Sequence, residues 1–226
     1  MVVLSGKIVK KLTIAIDGPS GSGKGILAQK LSERFHLAYL DTGLLYRAVA
    51  YKLLQNSASP NEVTEALKIA QNLKTEDLSI PALRSDEVAS SASKIAGSIE
   101  VRTALLKFQT EFVKTALAKG EGVILDGRDI GIKVLPEATF KIFLTANPEV
   151  RAQRRHKELQ DRGIKSIYSN VLADMRERDR RDCERVESPL TPAQDAYVID
   201  TSTMQINEVV DHVARYIYEC RGASIG

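Results

Sequence analysis

Between Leu12 and Phe35 the chain passes from a short β-branched apolar run, Leu12–Asp17 (LTIAID), through Asp17-Gly18-Pro19-Ser20-Gly21-Ser22-Gly23-Lys24-Gly25 into Gly23–Phe35, which is patterned as a helix. The turn contains GxxxxGK directly after a strand pattern and directly before a helix pattern, the context a phosphate-binding P-loop requires. Glycines let the backbone take positive φ and bring its N–H groups against phosphate oxygens. The positive end of the following helix adds to the anion site. Lys24 would reach the β- and γ-phosphates as a point charge. The ATP-binding set is therefore Gly18, Pro19, Ser20, Gly21, Ser22, Gly23, Lys24, Gly25 and Ile26. A glycine-rich turn with a solvated lysine would explain the glycines, but not the strand, spacing, lysine and helix together. One position departs from the usual pattern. Lys24 is followed by Gly25 and Ile26, so the hydroxyl that usually ligates Mg²⁺ is missing. Either the metal is held through phosphates, waters and carboxylates, or catalysis is impaired.

Similar short runs recur at Gly122–Asp126 (GVILD), Phe140–Thr145 (FKIFLT) and Tyr197–Asp200 (YVID), with helical patterns between them. That alternation predicts an α/β fold with a parallel sheet. Asn147-Pro148-Glu149 reads as N-cap, N1 proline and first-turn acid of a helix running through Arg151–Leu159. Ile206, Val209, Val210, Val213 and Ile217 share one face of a C-terminal helix. At 226 residues the chain is expected to be a single domain, 1–226. Two regions interrupt the alternation. Asn56–Ser93 is polar, Ser/Ala-rich and contains Pro60 and Pro81, and is read as a small helical insert bounded at 56–97. Arg151–Arg185 carries eleven Lys/Arg against seven Asp/Glu, a surplus larger than the whole chain's +3, so the positive charge is concentrated there.

Composition removes other classes. Two cysteines, neither in a CxxC pattern, and three histidines make neither a disulfide framework nor a dense metal cluster, and a reduced, cytoplasmic setting is the default. No apolar run approaches a membrane span, and MVVLSGKIVKK lacks the layout of a signal peptide. A net charge of +3 argues against a nucleic-acid coat. Among P-loop classes, the guanine-binding Asn-Lys-x-Asp segment is missing and the chain is short for a motor. A small kinase needs a second anion site and an arginine-rich cover that sheds water, and both patterns are present.

GPSGSGKG, then Asp41-Thr42-Gly43 and Tyr46-Arg47, then Asp126-Gly127-Arg128-Asp129-Ile130-Gly131, then Glu177-Arg178-Asp179-Arg180-Arg181-Asp182, together resemble the bacterial cytidylate kinases, in order over almost the whole chain. The resemblance implies a P-loop three-layer sandwich with a five-stranded parallel sheet, an acceptor-binding insert (56–97) and an Arg-rich lid (151–185). It implies transfer of the γ-phosphoryl group of ATP to CMP or dCMP, with Mg²⁺, in a monomer that needs no nucleic acid or membrane. It places Thr42, Arg47 and Arg128 at the acceptor phosphate, and Ser93, Arg102 and Asp129 at the base. Arg178, Asp182 and Arg185 fall on the lid side. Arg154 and Arg155 fall in the lid segment. The catalytic set implied is Lys24, Arg128, Asp129, Arg178 and Arg185, with Asp126 a water-mediated metal contact. Two departures stand out: Ile26 replaces the usual Thr or Ser, and the segment between Leu73 and Glu87 is shorter than the family's insert, which carries a small β-hairpin there.

The chemistry is consistent with those residues. Two polyanions must be aligned and their repulsion neutralised, and arginine's planar fork suits that better than lysine. An ionised Asp129 would accept from the N4 amine of cytosine but face the O4 of uracil with unpaired lone pairs. Simpler roles compete. Asp126 could cap a loop, Arg128–Asp129 could be a surface ion pair, and Thr42 could be a turn residue. The run Asp174–Arg185 could be an exposed helix face, since Asp174–Arg178 and Glu177–Arg181 have i,i+4 spacing. Another small-molecule kinase, or a weakened ATP- or RNA-binding protein on the same fold, are the alternative functions.

Overall fold

The computed structural model describes residues 3–4, 7–8 and 11–223; the rest of the amino-terminal stretch read for targeting signals lies outside them. A two-stranded antiparallel pair, β1 (Val3–Leu4) and β2 (Lys7–Ile8), precedes the main body. The central sheet has five strands, all parallel, in the order β4-β5-β3-β6-β7. Four are the runs expected from sequence: β3 (Thr13–Asp17), β5 (Gly122–Gly127), β6 (Phe140–Thr145) and β7 (Tyr197–Asp200). The fifth, β4 (Leu37–Asp41), lies on the edge beside β5.

Helices cover both faces. α1 (Lys24–Phe35) and α8 (Ile206–Ala223) pack on one side, where Leu27, Leu31, Val213 and Ile217 close over Ile14, Ile16 and Ile142. α2 (Thr42–Gln55), α3 (Val63–Gln71), α4 (Asp86–Ile95) and α5 (Ile99–Ala118) share the core on the other side, around Leu45, Leu53, Leu105 and Leu125. β3 is buried at every position, as a central parallel strand must be.

Residues 56–97 are helical as expected, with α3 and α4 joined by two 3₁₀ turns, Thr75–Ser79 and Pro81–Arg84. No strand occurs where the cytidylate kinase pattern has its hairpin. Pro81 opens the second turn, where its missing N–H costs nothing. Residues 151–185 form most of α6 (Pro148–Asp161) and all of α7 (Tyr168–Glu184). Among the described residues no helix is long and apolar enough to cross a membrane.

Candidate active site

The P-loop leaves the C-terminal end of β3, the central strand, where parallel α/β sheets bind ligands. Gly18 has φ 149°, and a Cβ there would lie 2.1 Å from the carbonyl oxygen of Leu144. Only glycine lets the chain turn so close to β6. Gly23 has φ 92° and is the N-cap of α1, so the helix begins at Lys24 with its N-terminus open to an anion. Inside the loop the Ser22 hydroxyl is buried with no hydrogen-bond partner. The Lys24 ammonium folds back to donate to the Pro19 carbonyl at 3.3 Å. Burial, then the nearby Arg128 charge, depress the Lys24 pKa. Ile26 sits in the first turn of α1 with its side chain half exposed.

Asp126 is the penultimate residue of β5 and is paired in register with Asp41 at the end of β4. Burial, then the Asp41 carboxylate, raise the Asp126 pKa. Tyr39 donates its hydroxyl proton to Asp126 Oδ1 at 2.9 Å, and a Cβ on Gly25 would lie 3.8 Å from Asp126 Oδ2. Two carboxylates beside Lys24, one of them desolvated, form a donor set that fits a hydrated divalent cation. From sequence Asp41 has no role beyond its place in the motif Asp41-Thr42-Gly43, and Tyr39 was not singled out, because strand β4 that carries them gives no strand signal. Thr42, at the first position of α2, is buried and donates its hydroxyl proton to the Asp126 carbonyl at 2.8 Å. Its lone pairs alone remain for a ligand.

Next to Lys24 stand the guanidiniums. Arg128 follows β5 and donates Nε to Asp182 Oδ2 at 2.8 Å and Nη1 to the Gly127 carbonyl at 3.2 Å. Arg178 is turned inward from α7; burial, then Arg128, push its pKa down to about 9. Its Nε has no hydrogen-bond partner, and the same holds for Nε and Nη2 of Arg185, whose Nη1 lies 3.9 Å from Asp182. Buried donors without acceptors are costly, and here they belong to two arginines that both lie close to Arg128, a set suited to an anionic ligand. Arg47, which the resemblance places at the acceptor phosphate, donates Nη1 to the Leu83 carbonyl at 2.8 Å. The exposed-helix reading fits only part of α7: Arg180 pairs with Glu177 and Glu184, and Arg181 with Glu177, while Asp182 is buried and Arg178 is partly buried with its Nε covered.

On the far side, Arg102 Nη2 meets Asp129 Oδ2 at 2.5 Å, with both side chains mostly covered. The pair is therefore not a surface one, and Asp129 is bridged to Arg102 rather than to its chain neighbour Arg128. Arg102 also stacks 5.9 Å from the Tyr46 ring. Tyr46, Arg102, Leu106, Gln109, Asp129 and Ser188 line a cavity of about 170 Å³. Ser93, on α4, is buried with a hydroxyl that has no partner.

Two arginines of α6 make contacts within the fold. Arg154 binds the Thr201 and Met204 carbonyls, at 2.5 and 3.2 Å, and anchors the turn into α8. Arg155 bridges α6 to α4 through Asp86. Asp17, read from sequence as the end of a strand, is a buried brace. It accepts the Ile130 and Gly131 amides at 2.9 and 2.8 Å and so fixes the backbone just beyond Arg128 and Asp129.

A central P-loop, a flanking carboxylate pair and a converging set of buried arginines define an α/β fold of the P-loop type. The Cytidylate kinase family profile matches residues 14–219. A cytidylate kinase of Paramagnetospirillum magneticum (strain ATCC 700264 / AMB-1) is 52% identical over 195 residues, covering 86% of this chain and 92% of that protein. Cytidylate kinase 1 of Haemophilus influenzae (strain ATCC 51907 / DSM 11121 / KW20 / Rd) is 40% identical over 220 residues, covering 91% and 93%. A crystal structure of an uncharacterized protein from Eubacterium ventriosum ATCC 27560 shares the fold, with a TM-score of 0.54 at 16% identity over 92% of this chain and 98% of that one. The chain belongs to the cytidylate kinase family.

Proposed function

We propose that this enzyme transfers the γ-phosphoryl group of ATP directly to the phosphate of CMP or dCMP, giving ADP and CDP or dCDP. The observation that carries the reading is the closeness of Arg128 and Arg178 to Lys24 of the P-loop, with Arg185 near both Arg128 and the Arg102–Asp129 pair. The P-loop amides and Lys24 bind the ATP phosphates. Arg47 and Arg128 bind the acceptor phosphate, with Thr42 beside it. Arg178 and Arg185, on the lid side with Asp182, supply positive charge over the transferring group. Their donors without partners match an anion that recruits them, and phosphate oxygens would offset the desolvation that depresses Lys24 and Arg178. An acceptor phosphate is already ionised, so no general base is assigned.

Mg²⁺ entering with ATP would neutralise charge on the phosphates, and Asp126 and Asp41 are the residues that would hold its waters. Ile26 carries no hydroxyl for that task, and its half-exposed position places no demand on one.

Residues 56–97 are assigned to acceptor binding and residues 151–185 to the lid, within a single domain. Base choice rests on Asp129 and Arg102, which line the cavity, and on the unpartnered Ser93 hydroxyl of α4: a carboxylate accepts from the cytosine N4 amine, and Arg102 and Ser93 would donate to N3 and O2. The test is a coupled assay of ADP formation across CMP, dCMP, UMP, AMP and GMP, in wild type and Asp129→Asn. CMP and dCMP should lead, with UMP weaker. Asp129→Asn should narrow the CMP-to-UMP ratio of kcat/KM by about tenfold, as loss of a match worth ~1–3 kcal/mol requires. Equal turnover of AMP or GMP by the wild type would overturn the assignment.

A further inference from the structure

Arg151 opens the lid segment, yet it faces no proposed substrate position. It lies in the first turn of α6, and its side chain is only 3% exposed. Nε donates to the Ala146 carbonyl at 2.8 Å, and Nη1 to the Ser20 carbonyl at 3.0 Å. Nη1 and Nη2 also grip both oxygens of Asp179 on α7, at 3.0 and 2.6 Å. Four of the guanidinium's five N–H donors are thus taken up by three elements: the P-loop, the turn into α6 and α7. Packing follows the same line. A Cβ on Gly21 would lie 3.2 Å from Arg151 Cβ and 3.2 Å from Met175 Cε, so the loop is pressed against both helices. Asp179 immediately follows Arg178 and stands three residues before Asp182, which holds Arg128.

We propose that Arg151 and Asp179 are positioning residues for phosphoryl transfer: their bidentate pair sets the register of α7 against the P-loop, and so places Arg178 over the phosphates. This rests on the transfer reaction proposed above. A pair kept only for stability would need no particular neighbours. Here one end is bonded to a P-loop carbonyl and the other is adjacent in sequence to Arg178, whose charge acts on Lys24 of the cradle. Displacement of about 1 Å in such a group costs large factors in rate, and a bidentate fork fixes orientation as well as distance. No substrate contact is required of either residue.

The experiment is a double-mutant cycle on the full-length enzyme. Asp179→Asn, Arg178→Lys and the double variant are compared with wild type for kcat and for KM of ATP and CMP, with a circular-dichroism melt of each. The expected result for Asp179→Asn is a cooperative melt, a CMP KM within threefold of wild type and a kcat at least tenfold lower. Once Arg178→Lys is present, Asp179→Asn should cost less than threefold further, because its effect runs through Arg178. A kcat within threefold of wild type, or the same loss in both backgrounds, would overturn the proposal and leave the pair purely structural. Should Asp179→Asn fail to melt cooperatively, Asp179→Glu takes its place under the same thresholds, since it keeps the charge and moves it by one methylene. A wild type that does not phosphorylate CMP overturns the reaction and this inference together, whereas an active wild type with additive losses overturns the inference alone.

Discussion

Asp17 shows how one buried carboxylate shapes the site without touching substrate. Two amides favour its ionised form, but desolvation is the larger effect and pushes its pKa up to about 6 from the ordinary 3.8. The native state therefore holds this proton more tightly than the unfolded chain. By linkage, the stability it contributes is fully present below about pH 4 and is lost as pH rises through about 6. The full effect is on the order of 3 kcal/mol. Asp17→Asn removes the titration while keeping one acceptor oxygen. Urea unfolding of both proteins across pH 4 to 7.5 should show the wild type losing ground to the variant as pH rises, most steeply between 4 and 6. A stability difference that stays flat over that range would refute the assignment. The same residue shows where sequence reading reaches its limit. The motif Gly127-Arg128-Asp129-Ile130-Gly131 is legible by itself, but its brace lies 113 residues away. Likewise nothing marks Arg151 among the eleven cations of residues 151–185, because its partner Asp179 is chosen by the packing of α6 on α7.

At the scale of elements, the strands with β-branched apolar runs were legible and β4 was not. Leu37–Asp41 reads LAYLD, without a β-branched residue, and begins directly after His36, which closes α1 at φ 52°. Its strand character comes from pairing with β5, not from its own propensity. Residues 56–97 were legible as a helical insert and Arg151–Leu159 as a helix, whereas a helix over Asp174–Arg185 was only a competing reading, and the contact between the two regions was not legible. Arg155 of α6 reaches Asp86 at the start of α4, and Asp86 is well exposed. Exposed pairs contribute ~0–1 kcal/mol, so this bridge is too weak to hold lid and insert together. Asp86→Ala should move the thermal midpoint by no more than about 4 °C and leave kcat for CMP within threefold. A tenfold change in CMP kcat/KM would instead make the bridge part of the closing step.

For the whole molecule, the deciding feature is the cost of holding positive charge inside without anions. Lys24 and Arg178 are both depressed first by burial, and Arg178 and Arg185 keep donors without acceptors. Hydrophobic packing on both faces of the sheet holds that arrangement in place, so a ligand that supplies the missing acceptors binds the native state alone and stabilises it. At a concentration of 100 Kd the gain is about 2.7 kcal/mol, which for a chain of this size corresponds to roughly 5–10 °C in thermal midpoint. The phosphate and the base contribute through different residues, which makes the shift diagnostic. CMP should raise the midpoint by that amount, and cytidine, which meets only Ser93, Arg102 and Asp129, should give much less at equal concentration. Arg47→Ala should bring the CMP shift down towards that of cytidine, because Arg47 belongs to the phosphate side. If cytidine and CMP stabilise equally in the wild type, the buried arginines do not receive the acceptor phosphate, and the division of the cleft into a phosphate side and a base side is wrong.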